Sequence, residues 1–234
     1  MTLSDLLDKL FPTGHASTVE ANVIAGVGRH ARGDIALIGT VNHASIGVDA
    51  ALSLASHVLR VVQDQPGMPI LLLVDNAGQQ LSRRDELLGN NGYLAHLAKC
   101  LEVARARGHR VLSIVYDQAV SGGFLAAGMI ADQTYALPRA TIHVMNLPAM
   151  SRITQIPLDR LQDLCKTSPV FAPGVPSFHR LGIVEDVWEG DLSAALDVAL
   201  GVSTNADTRA DTGRARGGRT LASEIAERVL EAQA

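Results

Sequence analysis

The chain has 234 residues, of which 47% are hydrophobic and 19% are charged, and its formal net charge at pH 7 is −4. This is the composition of an ordinary globular protein, and it excludes a nucleic-acid-binding surface that depends on bulk positive charge. Aromatic residues make up only 3% of the chain, which also excludes the stacking platforms of single-strand binders. We therefore predict no nucleic-acid partner.

The amino terminus and the cysteines predict a cytoplasmic location. The first residues, MTLSDLLDKLF, are amphipathic and acidic, and they lack the basic region and continuous apolar segment of a secretion signal. No apolar run reaches the length of a membrane span, so no membrane contact is expected. Cys100 and Cys165 lie far apart in apolar-periodic stretches without a CxxC motif, which is typical of reduced core residues.

The first part of the chain predicts alternating helices and strands. A short amphipathic helix over 3–11 precedes two strands, 23–28 and 35–40, which form a hairpin or lie side by side. A helix over 48–63 follows, with apolar residues at helical spacing. The unbroken apolar run at 69–75, PILLLVD, is typical of a strand covered on both faces.

The middle of the chain continues the pattern after a polar interruption. Residues 79–92 are polar and are interpreted as a long functional loop that carries at most a short helix. A helix over 93–107 then leads to the central apolar strand, 111–116. Strands and helices in this rhythm indicate an α/β fold in which helices cross over between roughly parallel strands.

The second half is predicted to contain shorter elements. They are strands over 134–137 and 141–145, a loop over 148–156, a helix over 158–165, a strand over 183–188 and a helix over 192–202.

Composition divides the chain into three parts. Residues 1–202 carry the alternating pattern and are predicted to form one domain. Residues 203–220 have almost no apolar content and are predicted to be a flexible linker with solvated arginines. Residues 221–234 are predicted to form an amphipathic helix that docks on this domain or on a partner.

Two turns that follow buried strands carry the candidate chemistry. The first contains Asn76 and Gly78, and the second is Ser121-Gly122-Gly123, which opens the small-residue helix FLAAGM. The first N–H groups of a helix lack partners within it, and glycine lets a ligand approach them. The amides of Gly122 and Gly123 are therefore candidate donors to a developing negative charge. The alternative is that both glycines only allow tight packing of the helix on its strand.

The pairing of these turns resembles the crotonase-like superfamily, in which amides at the ends of two successive ββα units face a thioester carbonyl. The motifs VLSIV, SGGFLAAG, ADQTYALP and LGIVEDV further resemble the carboxyl-terminal half of acyl-CoA carboxylase carboxyltransferases. More narrowly, residues 121–154 are similar to the gamma subunit of malonate decarboxylase. The resemblance covers about residues 33–201 and implies a crotonase-like α/β fold of repeated ββα units.

The same resemblance implies an activity and its partners. The expected reaction is biotin-independent decarboxylation of a malonyl thioester on an acyl carrier protein, giving an acetyl thioester and CO₂. The expected partners are a carboxyltransferase-like beta subunit that shares the active site, the acyl carrier protein, and an acyl transferase that exchanges acetyl for malonyl. The carrier protein bears a phosphopantetheine-type arm derived from dephospho-coenzyme A, and no cofactor is expected to be attached covalently to this chain.

Enolate chemistry assigns roles to further residues. Arg152 is predicted to bind the malonyl carboxylate, because a planar guanidinium suits that group; the alternative is an exposed loop arginine. His143 is predicted to protonate the enolate carbon; the alternative is a strand histidine held by hydrogen bonds. Asn76 and Gly78 are candidate substrate contacts. No metal site is predicted, because the eight histidines lack ligand spacing.

Three other functions stay open at the level of the sequence. In a serine hydrolase resembling the caseinolytic peptidases, Ser121 acts as the nucleophile and His143 as the base. In a noncatalytic scaffold, the partner supplies all the chemistry. In a biotin-dependent carboxyltransferase, the carboxyl group passes to biotin on another chain.

Overall fold

The computed structural model describes residues 1–169, 172–202, 206–218 and 220–232. Within these residues nine strands form one mixed sheet, in the order β1-β2-β3-β5-β6-β7-β9, with β4 beside β5 and β8 beside β6. The strands are β1 (His15–Glu20), β2 (Val23–His30), β3 (Gly33–Thr40), β4 (Ala44–Ile46), β5 (Ile70–Gln79), β6 (Val111–Val120), β7 (Gln133–Ala136), β8 (Thr141–His143) and β9 (Asp186–Val187).

The sheet changes from antiparallel to parallel pairing at β3. Strands β1, β2 and β3 pair antiparallel, which confirms the predicted hairpin. Strands β3, β5, β6 and β7 pair parallel, because the segments between them cross over the sheet. The α/β arrangement expected from the sequence is therefore present.

Helices cover both faces of this sheet. They are α1 (Leu3–Leu10), α2 (Val48–Asp64), α3 (Arg83–Leu87), α4 (Asn90–Ala106), α5 (Ser121–Phe124), a π-helix (Leu125–Met129), α6 (Leu147–Thr154), α7 (Leu158–Thr167), α8 (Val175–Arg180), α9 (Leu192–Gly201), α10 (Arg209–Ala215) and α11 (Thr220–Glu231). Leu54 of α2 and Leu97 of α4 belong to the core on one face, and Leu10 of α1 and Leu196 of α9 to the core on the other. No described helix has the length and apolarity needed to cross a bilayer.

A third apolar cluster fixes α5 at the carboxyl ends of the central strands. Phe124, the last residue of α5, is buried with Val74 of β5 and Val115 of β6. Its ring also meets the ring of Phe178 edge-on, with the ring centroids 6.3 Å apart. The start of α5 is therefore held directly beside the ends of β5 and β6.

Several elements differ from the sequence prediction for local reasons. Strand β1 was not predicted, because its side chains are largely exposed and give no buried apolar pattern. The predicted loop 148–156 is mostly helix α6, because Asn146 caps the Ala149 N–H and a proline occupies the first turn. The polar stretch 79–92 contains α3 and the start of α4. The predicted strand 183–188 is reduced to β9.

The predicted linker, residues 203–220, contains ordered structure. Helix α10 lies within it, and Gly213 packs so closely on Leu181 that an added Cβ would lie 2.5 Å from the Leu181 carbonyl oxygen. Arg216 donates hydrogen bonds to three backbone carbonyls, those of His179, Val184 and Glu185. A flexible linker is therefore not an adequate description of residues 209–216. Residues 203–205 and 219 lie outside the described residues, as do residues 233–234 of the predicted terminal helix, and the division into domains stays a prediction.

The Arg216→Ala variant tests this docking. Loss of a charged donor to three carbonyls should lower the free energy of unfolding by about 2 kcal/mol. Urea unfolding of the full chain measures the change. The control is Arg228→Ala, which removes an exposed arginine of α11 and should change the free energy by less than about 0.5 kcal/mol. Equal effects of the two substitutions would show that Arg216 is a solvated arginine, as the composition suggested.

Candidate active site

The two predicted turns meet at one edge of the sheet, although Asn76 and Gly78 of the first lie in the last residues of β5, which extends beyond the predicted strand 69–75. Strands β5 and β6 are parallel neighbours, so their carboxyl ends lie side by side. Their register shifts near these ends, because Val74 pairs with Val115 whereas Asn76 pairs with Ala119. Between these paired positions β6 has three residues, 116–118, whereas β5 has only Asp75, so β6 carries two extra residues shortly before its turn.

Both turns contain a residue in the left-handed region of backbone conformation. Gly78 has a φ of +93° and Ser121 a φ of +47°. Glycine adopts such a conformation without cost, whereas a serine is held there only by surrounding structure. The chain after β6 is therefore sharply turned at Ser121, and this turn exposes the start of α5 to the sheet edge.

The buried side chain of Asn76 joins the two turns. Its Oδ1 atom accepts hydrogen bonds from the N–H of Gly78 at 3.2 Å and from the N–H of Val120 at 3.4 Å. The side chain is fully buried, with 0% of the residue exposed. Its Nδ2 atom is also buried and has no hydrogen-bond partner among the described residues. The amide oxygen of Asn76 thus holds the ends of β5 and β6 together, and a substrate contact at Asn76 stays a prediction.

The two glycines of the second turn have different surroundings. A Cβ added to Gly123 would lie 2.8 Å from the Gly78 carbonyl carbon and 2.9 Å from Asn76 Oδ1, so no larger residue fits there. A Cβ on Gly122 would meet only the end of the flexible Gln79 side chain. Tight packing thus explains Gly123, whereas it does not require Gly122. The N–H groups of both belong to the first turn of α5, where amides have no partner within the helix.

A cleft of about 390 Å³ opens beside these turns. Gly78, Ser121 and His143 all line it. Strand β8 pairs with β6 so that His143 lies opposite Val120, the residue before the turn. Burial lowers the pKa of His143, which favours the neutral imidazole. The structure therefore brings together three of the predicted site positions, Gly78, Ser121 and His143, around one opening, and Gly122 follows Ser121 directly in the chain.

The cleft continues into a more apolar cavity of about 260 Å³. The two spaces share His143, Val144 and Met145 as lining residues. The cavity is closed further by Met150 of α6 and Phe178 of α8. Together they provide a groove with a polar end at the turns and an apolar end between α6 and α8.

Arg152 does not reach this groove. It lies exposed in the last turn of α6 and is absent from the residues that line the cleft and the adjoining cavity. The helix that replaces the predicted loop explains the difference, because helical spacing turns Met150 toward the cavity and leaves Arg152 on an exposed part of the helix. Of the two interpretations made from the sequence, the exposed arginine matches the structure.

The features needed by a serine hydrolase are incomplete. Ser121 and His143 line the same cleft, but within the described residues no hydrogen bond joins the serine hydroxyl to the imidazole. The same residues provide no carboxylate that is hydrogen-bonded or ion-paired to His143. A nucleophilic serine requires a base that is itself oriented by a third group. The geometry therefore does not favour this alternative.

A further polar cluster was missed by the sequence analysis. His43 follows β3, Asp75 lies in β5, and Asp117 lies in β6 at the point where the register shifts. The His43 ring is 3.5 Å from Asp75 and 3.3 Å from Asp117. No local motif connects residues so distant in sequence, and only the order of the parallel strands brings them together. The polar residue at the end of the apolar run 69–75 was the one available signal.

Comparison with known proteins identifies the family. Residues 41–233 match the family model of the malonate decarboxylase gamma subunit. The chain belongs to this family. The match includes both turns, the cleft and helices α6 to α11, which confirms the resemblance found in the sequence.

Solved structures support the fold of this gamma-subunit family member. A Pseudomonas malonate decarboxylase hetero-tetramer in complex with coenzyme A has 24% identity, a TM-score of 0.80 and coverage of 98% of both chains. The Pseudomonas MdcD-MdcE hetero-dimer has 23% identity, a TM-score of 0.75 and coverage of 92% of both. Transcarboxylase 12S has 18% identity and a TM-score of 0.71, over 87% of this chain and 42% of that one. These likenesses confirm the crotonase-like fold.

A curated relative of this family member is the malonyl-S-ACP:biotin-protein carboxyltransferase MADD of Malonomonas rubra. It is 35% identical over 153 residues, which are 62% of this chain and 52% of the relative. The chain thus spans about half the length of the curated relative that it matches.

The Asn76→Ala variant tests the link between the turns. It leaves the N–H groups of Gly78 and Val120 without their acceptor, so the free energy of unfolding should fall by about 2–4 kcal/mol. Urea unfolding measures the change. The exposed Gln79→Ala in the same turn is the control and should cost less than about 0.5 kcal/mol. A similar small effect at Asn76 would show that its hydrogen bonds do not hold the turns.

The lowered pKa of His143 predicts a pH dependence of stability. The unfolded chain takes up a proton at the usual histidine value of 6.5 more readily than the folded chain does. The stability present above pH 6.5 should therefore be lost as the pH falls through that value toward the folded pKa. Urea unfolding between pH 8 and pH 5 should show a smaller decrease for His143→Gln than for the wild type. Identical decreases would contradict the burial of this imidazole.

Proposed function

We propose that the chain is the gamma subunit of a biotin-independent malonate decarboxylase, which removes CO₂ from a malonyl thioester carried by an acyl carrier protein. The observation that carries this proposal is the family match over residues 41–233, which includes both turns of the cleft. The Pseudomonas structures add support, since they are malonate decarboxylases in complex with coenzyme A and with malonate.

The chemistry requires stabilisation of an enolate. When the bond between the carboxylate carbon and the α-carbon breaks, its electron pair moves into an enolate whose negative charge lies on the thioester oxygen. The N–H groups of Gly122 and Gly123 are the proposed donors to this oxygen. Because Gly123 is packed against Gly78 and Asn76, these donors are fixed before the reaction begins, and no reorganisation is needed as the charge develops.

The enolate carbon then takes up a proton to give the acetyl thioester. His143 lines the cleft, and its lowered pKa keeps the ring neutral near pH 7. Its proposed role is therefore to pass a proton from water, since little imidazolium is present to supply one. Arg152 lies outside the cleft, so we assign the binding of the malonyl carboxylate to the partner subunit.

The proposed assembly contains the partners that the sequence resemblance implied. The beta subunit shares the active site, the acyl carrier protein brings the substrate on a phosphopantetheine-type arm, and an acyl transferase exchanges acetyl for malonyl. The MdcD-MdcE hetero-dimer of Pseudomonas supports the first of these, and the groove between α6 and α8 offers a path for the arm. A cytoplasmic location is part of the proposal, since the buried Cys100 is a free thiol.

Carboxyl transfer to biotin is the second candidate. The Malonomonas relative favours it, because that protein is a malonyl-S-ACP:biotin-protein carboxyltransferase. The two reactions share the enolate. In decarboxylation CO₂ is released and the enolate carbon takes a proton from water, whereas in carboxyl transfer CO₂ bonds to a biotin nitrogen, on another chain, whose proton passes to the enolate carbon. The same amide donors serve both reactions.

Decarboxylation of malonyl-S-ACP tests the proposal. CO₂ release is measured for the chain alone, for the beta subunit alone, and for the two together without biotin. We expect activity only in the mixture, and a decrease of about 10²-fold or more with Gly123→Ala, because the added Cβ pushes the two turns apart. The control is Gly92→Ala, since a Cβ at Gly92 meets nothing within 4 Å and activity should be unchanged.

Each of the other outcomes would assign a different function to the chain. Activity that appears only with a biotinylated acceptor moves the assignment to carboxyl transfer. Full activity of the Gly123→Ala variant mixed with the beta subunit would show that the chain is a noncatalytic scaffold and that its partner supplies all the catalytic groups. Inactivity in every arm, together with labelling of Ser121 by a serine-directed probe, returns the assignment to a hydrolase.

A further inference from the structure

Three side chains form a compact cluster at the sheet edge, apart from the amide turns. The His43 Nε2 atom lies 3.5 Å from Asp75 Oδ1 and 3.3 Å from Asp117 Oδ2. One ligand-capable atom from each residue falls within 4.8 Å of the other two. An imidazole and two carboxylates are a common ligand set for divalent transition-metal ions.

Asp75 provides a buried oxygen that has no donor. The residue is 3% exposed, and its Oδ1 atom, which faces His43, accepts no hydrogen bond. Its other oxygen, Oδ2, accepts a hydrogen bond from the backbone N–H of His43 at 3.0 Å, which fixes the direction of the carboxylate. A buried carboxylate oxygen is costly unless a donor or a cation meets it. The unsatisfied oxygen therefore points to a cation at the centre of the cluster.

We propose that His43, Asp75 and Asp117 bind a divalent transition-metal cation, and that Zn²⁺ suits the site best. Two ligand atoms of a tetrahedral zinc ion, each about 2.0–2.2 Å from the metal, lie roughly 3.4 Å apart. The distances from His43 Nε2 to the Asp75 and Asp117 oxygens, 3.5 Å and 3.3 Å, are close to this value. Two carboxylates and a neutral imidazole balance the charge of one divalent ion. Three protein ligands leave a fourth position for water or another small ligand.

The surroundings hold the ligands in place and leave a path to solvent. The Asp75 N–H donates to Thr40 Oγ1 at 3.3 Å, and the Tyr116 hydroxyl donates to the Thr40 carbonyl at 3.1 Å. The buried Asp75 is thus anchored between the ends of β3 and β6. The side chains of His43 and Asp117 are each 54% exposed, so an ion can enter from water.

Zinc titration of the full-length chain tests the proposal. After treatment with a chelator and dialysis, isothermal titration calorimetry with Zn²⁺ should show one site per chain. Asp117→Asn and His43→Gln should each weaken binding more than tenfold, and both side chains are exposed, so the variants are expected to fold. Saturating Zn²⁺ should raise the Tm of the wild type by about 5 °C and leave the Tm of both variants unchanged. Mg²⁺ should bind more weakly, because it prefers oxygen ligands alone.

Two controls separate this site from incidental binding. His96→Gln removes a histidine whose ring is 3.6 Å from Cys100 Sγ, a thiol–imidazole pair that also offers zinc-binding atoms, and should leave the affinity unchanged. Asp34→Asn removes an exposed aspartate and should also leave it unchanged. Loss of binding with His96→Gln, or equal affinity in both cluster variants and the wild type, overturns the proposal. Absence of any zinc binding also overturns it and leaves the cluster as an ion pair of a charged His43 with two aspartates.

Discussion

The candidate site depends on one buried amide. Asn76 Oδ1 accepts a hydrogen bond from the N–H of Gly78 near the end of β5 and from the N–H of Val120 at the end of β6, and Gly123 packs directly on that oxygen and on Gly78. A buried N–H without an acceptor is costly, so neither turn can move away from Asn76 without losing stability. The position of the proposed amide donors is therefore set by the core of the sheet and not by the surface loops around the cleft.

Much of the fold follows from patterns that the sequence shows directly. The apolar run at 69–75 and the central strand are buried on both faces, and their lack of alternation reflects helices on either side of the sheet. Elements stabilised by polar contacts were harder to predict. Strand β1 is largely exposed, α6 depends on its Asn146 cap, and α10 is fixed by its contact at Leu181 and by the hydrogen bonds of Arg216 to carbonyls. Composition carries no information about such partners.

The close packing at the candidate site was predictable where it depends on backbone conformation. Gly78, Gly122 and Gly123 could be picked out because they are glycines at strand ends, and close approach of two backbones requires glycine. The roles of Arg152 and Asn76 depend on which way a side chain points, which a single sequence does not reveal. The cluster of His43, Asp75 and Asp117 could not be predicted from the sequence for a different reason. Its members meet only because β3, β5 and β6 end at the same edge of the sheet.

The register shift between β5 and β6 limits how the length of this protein can change during evolution. Between the paired positions, β6 advances from Val115 to Ala119 while β5 advances only from Val74 to Asn76. The added residues are even in number, so Ala119 keeps its face of the sheet, and they include Asp117. Loss of a single residue here would turn the end of β6 over and displace the Ser121 turn and Asp117 together. Descendants of this sequence should accept insertions in exposed loops far more readily than in this short stretch of strand.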